Sequence, residues 1–203
     1  METGRKISLL LIMLSLILAM LPLTSNRSFT GEPHKLLADV LSKETYLSVD
    51  QVAGYIVTED STVQLIDLRL PEEFRKQTIP GAVNVQYKEL ISKDPDVWLG
   101  NKDIKSIFYS DNVAEQSYAL VFARGLGYDN VFVMDGGIGE WMKTVVESKF
   151  SGERITAREN ALFETRRRAG EMYSTLNSLP DSLKAEFLES RKFSAKKLDG
   201  GCE

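Results

Sequence analysis

The alternation of short apolar runs with helix-forming stretches between Tyr46 and Ser148 constrains this chain more than any other feature. "TVQLIDLR", "IPGAVNV", "SIFYS" and "NVFVMD" contain short apolar runs of the kind that form buried strands. The stretches between them carry helix punctuation. Ser48, with Gln51 three residues later, makes a capping-box pattern that starts a helix through Tyr55. Pro71 suits a first helical position, and Glu72 and Glu73 suit the positive end of a helix dipole. A helix from about Ala114 to Leu126 is closed by Gly127, and a Gly136-Gly137 turn leads into "GEWMKT". Strands and helices alternating at this spacing predict an α/β domain over residues 46–148, with a parallel sheet covered on both faces.

The flanks read differently. Arg5 and Lys6 precede an uncharged run from Ile7 to Ser25, whose apolar stretch to Leu23 reaches the short end of the roughly 17–25 residues a membrane span needs. That length favours a retained signal anchor over residues 1–25, with a cleaved signal peptide as the alternative. The preceding positive charges place the N-terminus inside and the domain in an extracytoplasmic or periplasmic space under either reading. Residues 26–45 form a polar spacer, where "HKLLADVLSKE" predicts a short helix near the membrane and carries His34. Residues 149–203 form a helical extension. Ile155, Leu162, Phe163, Ala169, Met172 and Tyr173 fall at near-helical spacing, as in an amphipathic helix packed on or beside the domain. Arg166, Arg167 and Arg168 cannot share one helical face, so a mostly solvated segment is expected there. Pro180 and Asp181 start a last short helix, and the Gly-rich end with Cys202 is expected to fray.

Composition narrows the chemistry. A net charge of −4 gives no electrostatic support for a nucleic-acid partner. With one cysteine and one histidine, an intrachain disulfide is impossible and a soft-metal site has too few donors, so no metal and no cofactor are expected.

The candidate site lies where α/β sheets place ligands, at the carboxyl end of a strand. "SIFYS" ends at Ser110, and Ser110, Asp111, Asn112, Val113, Ala114, Glu115 and Gln116 lead into a helix whose first N–H groups form an anion cradle. In "LIDLRLPEEFRKQTIPGAVNV", "IFYSDNVAEQS" and "GLGYDNVFVMDGGIGEW" the chain resembles the rhodanese-like family over nearly all of residues 46–148. The resemblance implies a five-stranded parallel sheet and, in active members, a loop cysteine that carries sulfane sulfur as a persulfide. Alignment on the glycine landmarks puts Ser110 at that cysteine's position, with Asp111 and Glu115 where basic residues are common. Gln77 and Thr78 replace a common Gly-His. Asp67 and Arg69 keep the family's Asp-x-Arg, and with Gly136 and Gly137 they are expected to act as scaffold beside the loop.

A serine hydroxyl cannot reach the thiolate chemistry open to cysteine, and it forms no persulfide. It acts as a nucleophile only with a general base, and the sole imidazole, His34, is far away in sequence. Carboxylates at 111 and 115 oppose a bound anion, and one of them is expected to satisfy the helix N-terminus in its place. These features predict a non-catalytic binding or regulatory module with an unidentified protein or small-molecule partner. The alternative is a sulfurtransferase in which Cys202, on its Gly200-Gly201 stem, carries sulfur. A phosphatase reading also needs the loop cysteine and fails with it.

Overall fold

The structure, a computed structural model, describes residues 28–149 and 156–188, together with Met13. Its strands are β1 Tyr46–Leu47, β2 Val63–Asp67, β3 Ala82–Asn84, β4 Lys105–Tyr109 and β5 Val131–Met134. They form one five-stranded sheet in the order β1-β5-β4-β2-β3, with every pairing parallel. Its helices are α1 Pro33–Leu41, α2 Val49–Val57, α3 Pro71–Lys76, α4 Tyr87–Ser92, α5 Asp96–Leu99, α6 Val113–Gly125, α7 Gly137–Trp141 and α8 Ala157–Asn177. A π-helical turn, Met142–Val146, continues α7, and residues 181–188 are helical again.

Both faces of the sheet are covered, as the alternation of elements requires. Strand side chains alternate between the faces with a period of two. Leu65, Ile107 and Tyr109 enter one core with Val52, Trp141 and Ala169, while Ile66 and Phe108 enter the other with Leu120, Ala123 and Val133. The capping box at α2 is formed: Ser48 Oγ accepts from Gln51 N–H, and the Gln51 side chain accepts from Ser48 N–H at 2.9 Å.

The strand order also locates the ligand crevice. From β2 the chain crosses outward to β3, and from β4 it crosses the other way to β5, so the order reverses between β2 and β4. The carboxyl ends of these two strands face a topological switch point, where open α/β sheets place ligands. Asp67 and Tyr109 are partners at that end of the ladder.

The C-terminal extension corrects one expectation. Its helix α8 lies against α2 and the π turn, burying Ala169, Tyr173 and Leu176. Arg166 is not solvated but reaches Asp50 on α2 through Nε and Nη2 at 2.6 and 2.7 Å. Arg167 pairs along its own helix with Glu164 and Glu171. The physical reason is the α8 stripe: its buried residues include Ala169 and Tyr173, four apart, and Arg166 lies three before Ala169, so it shares their face. Beyond α8, the Lys184 ammonium is buried and donates to Arg75 O, Lys76 O and Asn177 Oδ1. Asn177 also accepts from Thr78 N–H and donates to Thr78 O, both at 2.9 Å. The extension therefore clamps the turn after α3.

Among the described residues, no helix is long and apolar enough to cross a membrane. The anchor expected over residues 1–25 lies outside the described residues apart from Met13, and so does Cys202.

Candidate functional site

Ser110 follows β4 directly, and the loop that carries it closes on its own side chain. Ser110 Oγ accepts from Asn112 N–H at 3.2 Å and lies 3.2 Å from Asp111 Oδ1 and 3.3 Å from Glu115 Oε2. A hydroxyl has one proton, so it donates to one of these carboxylates at a time. Ser110 carbonyl oxygen accepts from Gln116 Nε2 at 3.0 Å and from Ile138 N–H at 3.1 Å. The residue is 1% exposed.

The Gly136-Gly137 turn allows this arrangement. Both glycines have positive φ, 70° and 57°. A Cβ on Gly137 would stand 2.1 Å from Ser110 O and 2.5 Å from Gln116 Nε2. Only a residue without a side chain lets α7 back onto the loop so closely.

The helix N-terminus is satisfied differently from the sequence expectation. Asn112, not Asp111 or Glu115, is the N-cap of α6, and its Oδ1 accepts from Ala114 N–H at 3.0 Å. Asp111 and Glu115 turn to the Ser110 hydroxyl instead. The order Asn112 then Glu115 at the third helical position was a visible start signal, because Asn is among the best capping residues. Two N–H groups that could have faced an anion, those of Asn112 and Ala114, are thus engaged by the loop's own side chains.

Beside the loop, Asp67 and Arg69 form a buried ion pair. Arg69 Nη2 lies 2.6 Å from Asp67 Oδ2, its Nε 3.0 Å from Asp67 Oδ1, and Nη2 also donates to Gln77 O at 2.8 Å. Burial acts to lower the Arg69 pKa, but the adjoining Asp67 carboxylate outweighs it and the net shift is upward. The guanidinium stands over the Tyr109 ring. Burial first, and the Asp67 charge second, push the Tyr109 phenol well above the usual tyrosine range, so it stays protonated.

A cavity of about 480 Å³ opens between the ends of β2 and β4, lined among others by Arg69, Glu73, Lys88, Asp111, Val113 and Glu115. Glu73 was read only as a helix-start acid, and Tyr87 and Lys88 carried no site signal in the sequence, because only the folding of α3 and α4 around the switch point brings them to this rim. Three carboxylates face two cations there; Arg69 is neutralised by Asp67 and Glu73 is paired with Lys76, which leaves Asp111 and Glu115 against Lys88. His34 does not join the site: it is exposed on α1 and lies 3.3 Å from Glu32. Ser110 therefore has no imidazole partner, and the groups nearest its hydroxyl are the carboxylates of Asp111 and Glu115.

The acidic rim predicts weak anion binding. Calorimetric titration with sulfate or thiosulfate is expected to give little heat with the native chain. Asp111→Asn/Glu115→Gln should raise affinity about tenfold, from roughly 0.5–1 kcal/mol of relieved repulsion per partly screened charge. Equal affinities for the two proteins would refute the electrostatic account.

Comparison with known proteins gives the context. Residues 48–144 match the family model of the rhodanese-like domain. A search among curated proteins finds no relative. Solved structures that are similar include a protein of unknown function from Rhodopseudomonas palustris, 23% identical over 61% of this chain and 95% of that one, with a TM-score of 0.46. A single-domain sulfurtransferase from Saccharomyces cerevisiae is 21% identical over 49% of this chain and 89% of that one, with a TM-score of 0.43. A human single-domain sulfurtransferase is 23% identical over 49% and 96%, with a TM-score of 0.42.

Proposed function

Because residues 48–144 form a rhodanese-like domain, we propose that the chain is a non-catalytic binding or regulatory module, exported and held at the membrane by its N-terminal apolar run. The observation that carries this reading is the state of Ser110. Where a sulfur-carrying thiol would stand, a hydroxyl is buried and engaged with Asp111, Glu115 and Asn112. It has neither the thiolate chemistry nor the electropositive surroundings that activate a nucleophilic sulfur. What remains is a cavity with a mixed, mainly acidic rim, suited to recognition of a protein or small molecule. The export and anchoring rest on Arg5, Lys6 and the run from Ile7 to Ser25.

The test is sulfur transfer from thiosulfate to cyanide by the full chain. In that reaction a thiolate takes the outer sulfur as a persulfide and releases sulfite, and cyanide then removes the sulfur as thiocyanate. The native chain is expected to show no turnover. Ser110→Cys alone should give little, because Asp111 and Glu115 would raise the thiol pKa and each unit costs about tenfold in thiolate. Ser110→Cys/Asp111→Asn/Glu115→Gln should give clearly more. Turnover by the native chain that disappears in Cys202→Ser would overturn this reading and make the tail thiol the sulfur carrier.

A further inference from the structure

We propose that the outward face of α1 lies on the lipid surface, so that this helix is an interfacial support for the domain. The inference rests on the reading of Ile7 to Ser25 as a retained anchor. Six of the nine α1 residues are apolar or proline: Pro33, Leu36, Leu37, Ala38, Val40 and Leu41. Five of them form two adjoining stripes, offset by one residue and so by about 100° around the helix. Leu36 and Val40, four apart, are partly covered, and Val40 packs on the core beneath α6. Pro33, Leu37 and Leu41, also spaced by four, form an uncovered stripe in which Leu37 is 60% and Leu41 73% exposed. Among the described residues, α6 packs against the covered stripe. An apolar arc wider than the stripe that the domain covers leaves surface for a second partner.

The position of the helix along the chain identifies that partner. Thr30 and Gly31 donate their N–H groups to Gly125 O at 2.9 and 3.1 Å, and the Phe29 ring rests against Gly125. The chain is therefore fastened to the domain by residue 30. The apolar run ends at Leu23, and seven residue steps span at most about 25 Å. Within that reach, a stripe of two leucines and a proline that would bind lipid only weakly by itself is held at high effective concentration beside the bilayer. Lys35 is paired with Glu32 at 3.0 Å, and His34 lies beside the same carboxylate. The contact is accordingly hydrophobic rather than electrostatic and should be little affected by salt.

The experiment uses the full chain with Cys202→Ser, reconstituted in vesicles of phosphatidylcholine and phosphatidylglycerol containing headgroup-quenching lipid. An environment-sensitive fluorophore is placed at Ala38→Cys, next to the stripe, or at Ser174→Cys, an exposed position on α8 across the sheet. Quenching at 38 is expected to exceed that at 174 about threefold, at low and high salt alike, and to be largely lost in Leu37→Asp/Leu41→Asp. Both leucines are exposed, so circular dichroism should show that variant folded. Resistance to alkaline carbonate extraction reports separately on the anchor. A chain that resists extraction but shows equal quenching at 38 and 174 overturns this proposal and leaves the anchor standing. A chain that is extracted removes the anchor reading and this proposal with it.

Discussion

Deleting residues 149–203 is expected to leave a rhodanese-like domain that does not fold stably, although the match to the family model ends at residue 144. Helix α8 covers α2 and the π turn, and the core on that side contains Ala169 and Tyr173 along with Val52, Ala53, Ile56 and Val145. Losing Tyr173 and Leu176 forfeits roughly 1.5–3 kcal/mol for each large buried side chain, and the uncovered α2 face loses a similar amount again. The total, on the order of 6–12 kcal/mol, is comparable with the roughly 5–15 kcal/mol that typically separates folded from unfolded domains. The Arg166–Asp50 pair is a quarter exposed on each side and adds little by comparison. Removal also frees Thr78 from Asn177, and Arg75 O and Lys76 O from Lys184. Urea denaturation followed by circular dichroism checks the expectation: a truncated chain with the native midpoint would show that the extension is only an appendage.

Asp67→Ala is expected to destabilise the protein by about 3–5 kcal/mol, the range found when one partner of a buried ion pair is removed. Asp67 is fully buried and Arg69 is 6% exposed, so the guanidinium would be left as an uncompensated interior charge. The Asp67 carboxylate also accepts Arg69 N–H, and Arg69 in turn holds Gln77 O, so the change would loosen both turns beside the site. Asp67→Asn keeps the shape and some hydrogen bonding and should cost less. A denaturant midpoint for Asp67→Ala within about 1 kcal/mol of native would mean that water reaches Arg69 freely and that the pair is not structural.

Much of the fold was legible because its signals are local. The strand runs, the Ser48–Gln51 capping box, Pro71 at a first helical position and Gly127 at a positive φ of 85° all act within a few residues of themselves. The loop from Ser110 to Gln116 was legible for the same reason, since it follows a strand and enters a helix. The use of its acids was not. Sequence spacing suggested that Asp111 or Glu115 would meet the helix N-terminus, but Asn112 has the shorter reach to Ala114 N–H and leaves the acids to the Ser110 hydroxyl.

By itself, then, the sequence determined the alternation of elements, the location of the Ser110 loop, and the presence of a single imidazole at His34. Those depend on residue identity and on neighbours along the chain. Tertiary structure alone decided that Ser110 is buried, that Glu73 and Lys88 share a cavity rim with Asp111 and Glu115, and that α8 and Lys184 complete the domain from more than a hundred residues away from their partners Asp50 and Arg75. Such contacts are fixed by which faces remain uncovered once the sheet has formed, and a one-dimensional pattern shows that a face exists without showing what it meets.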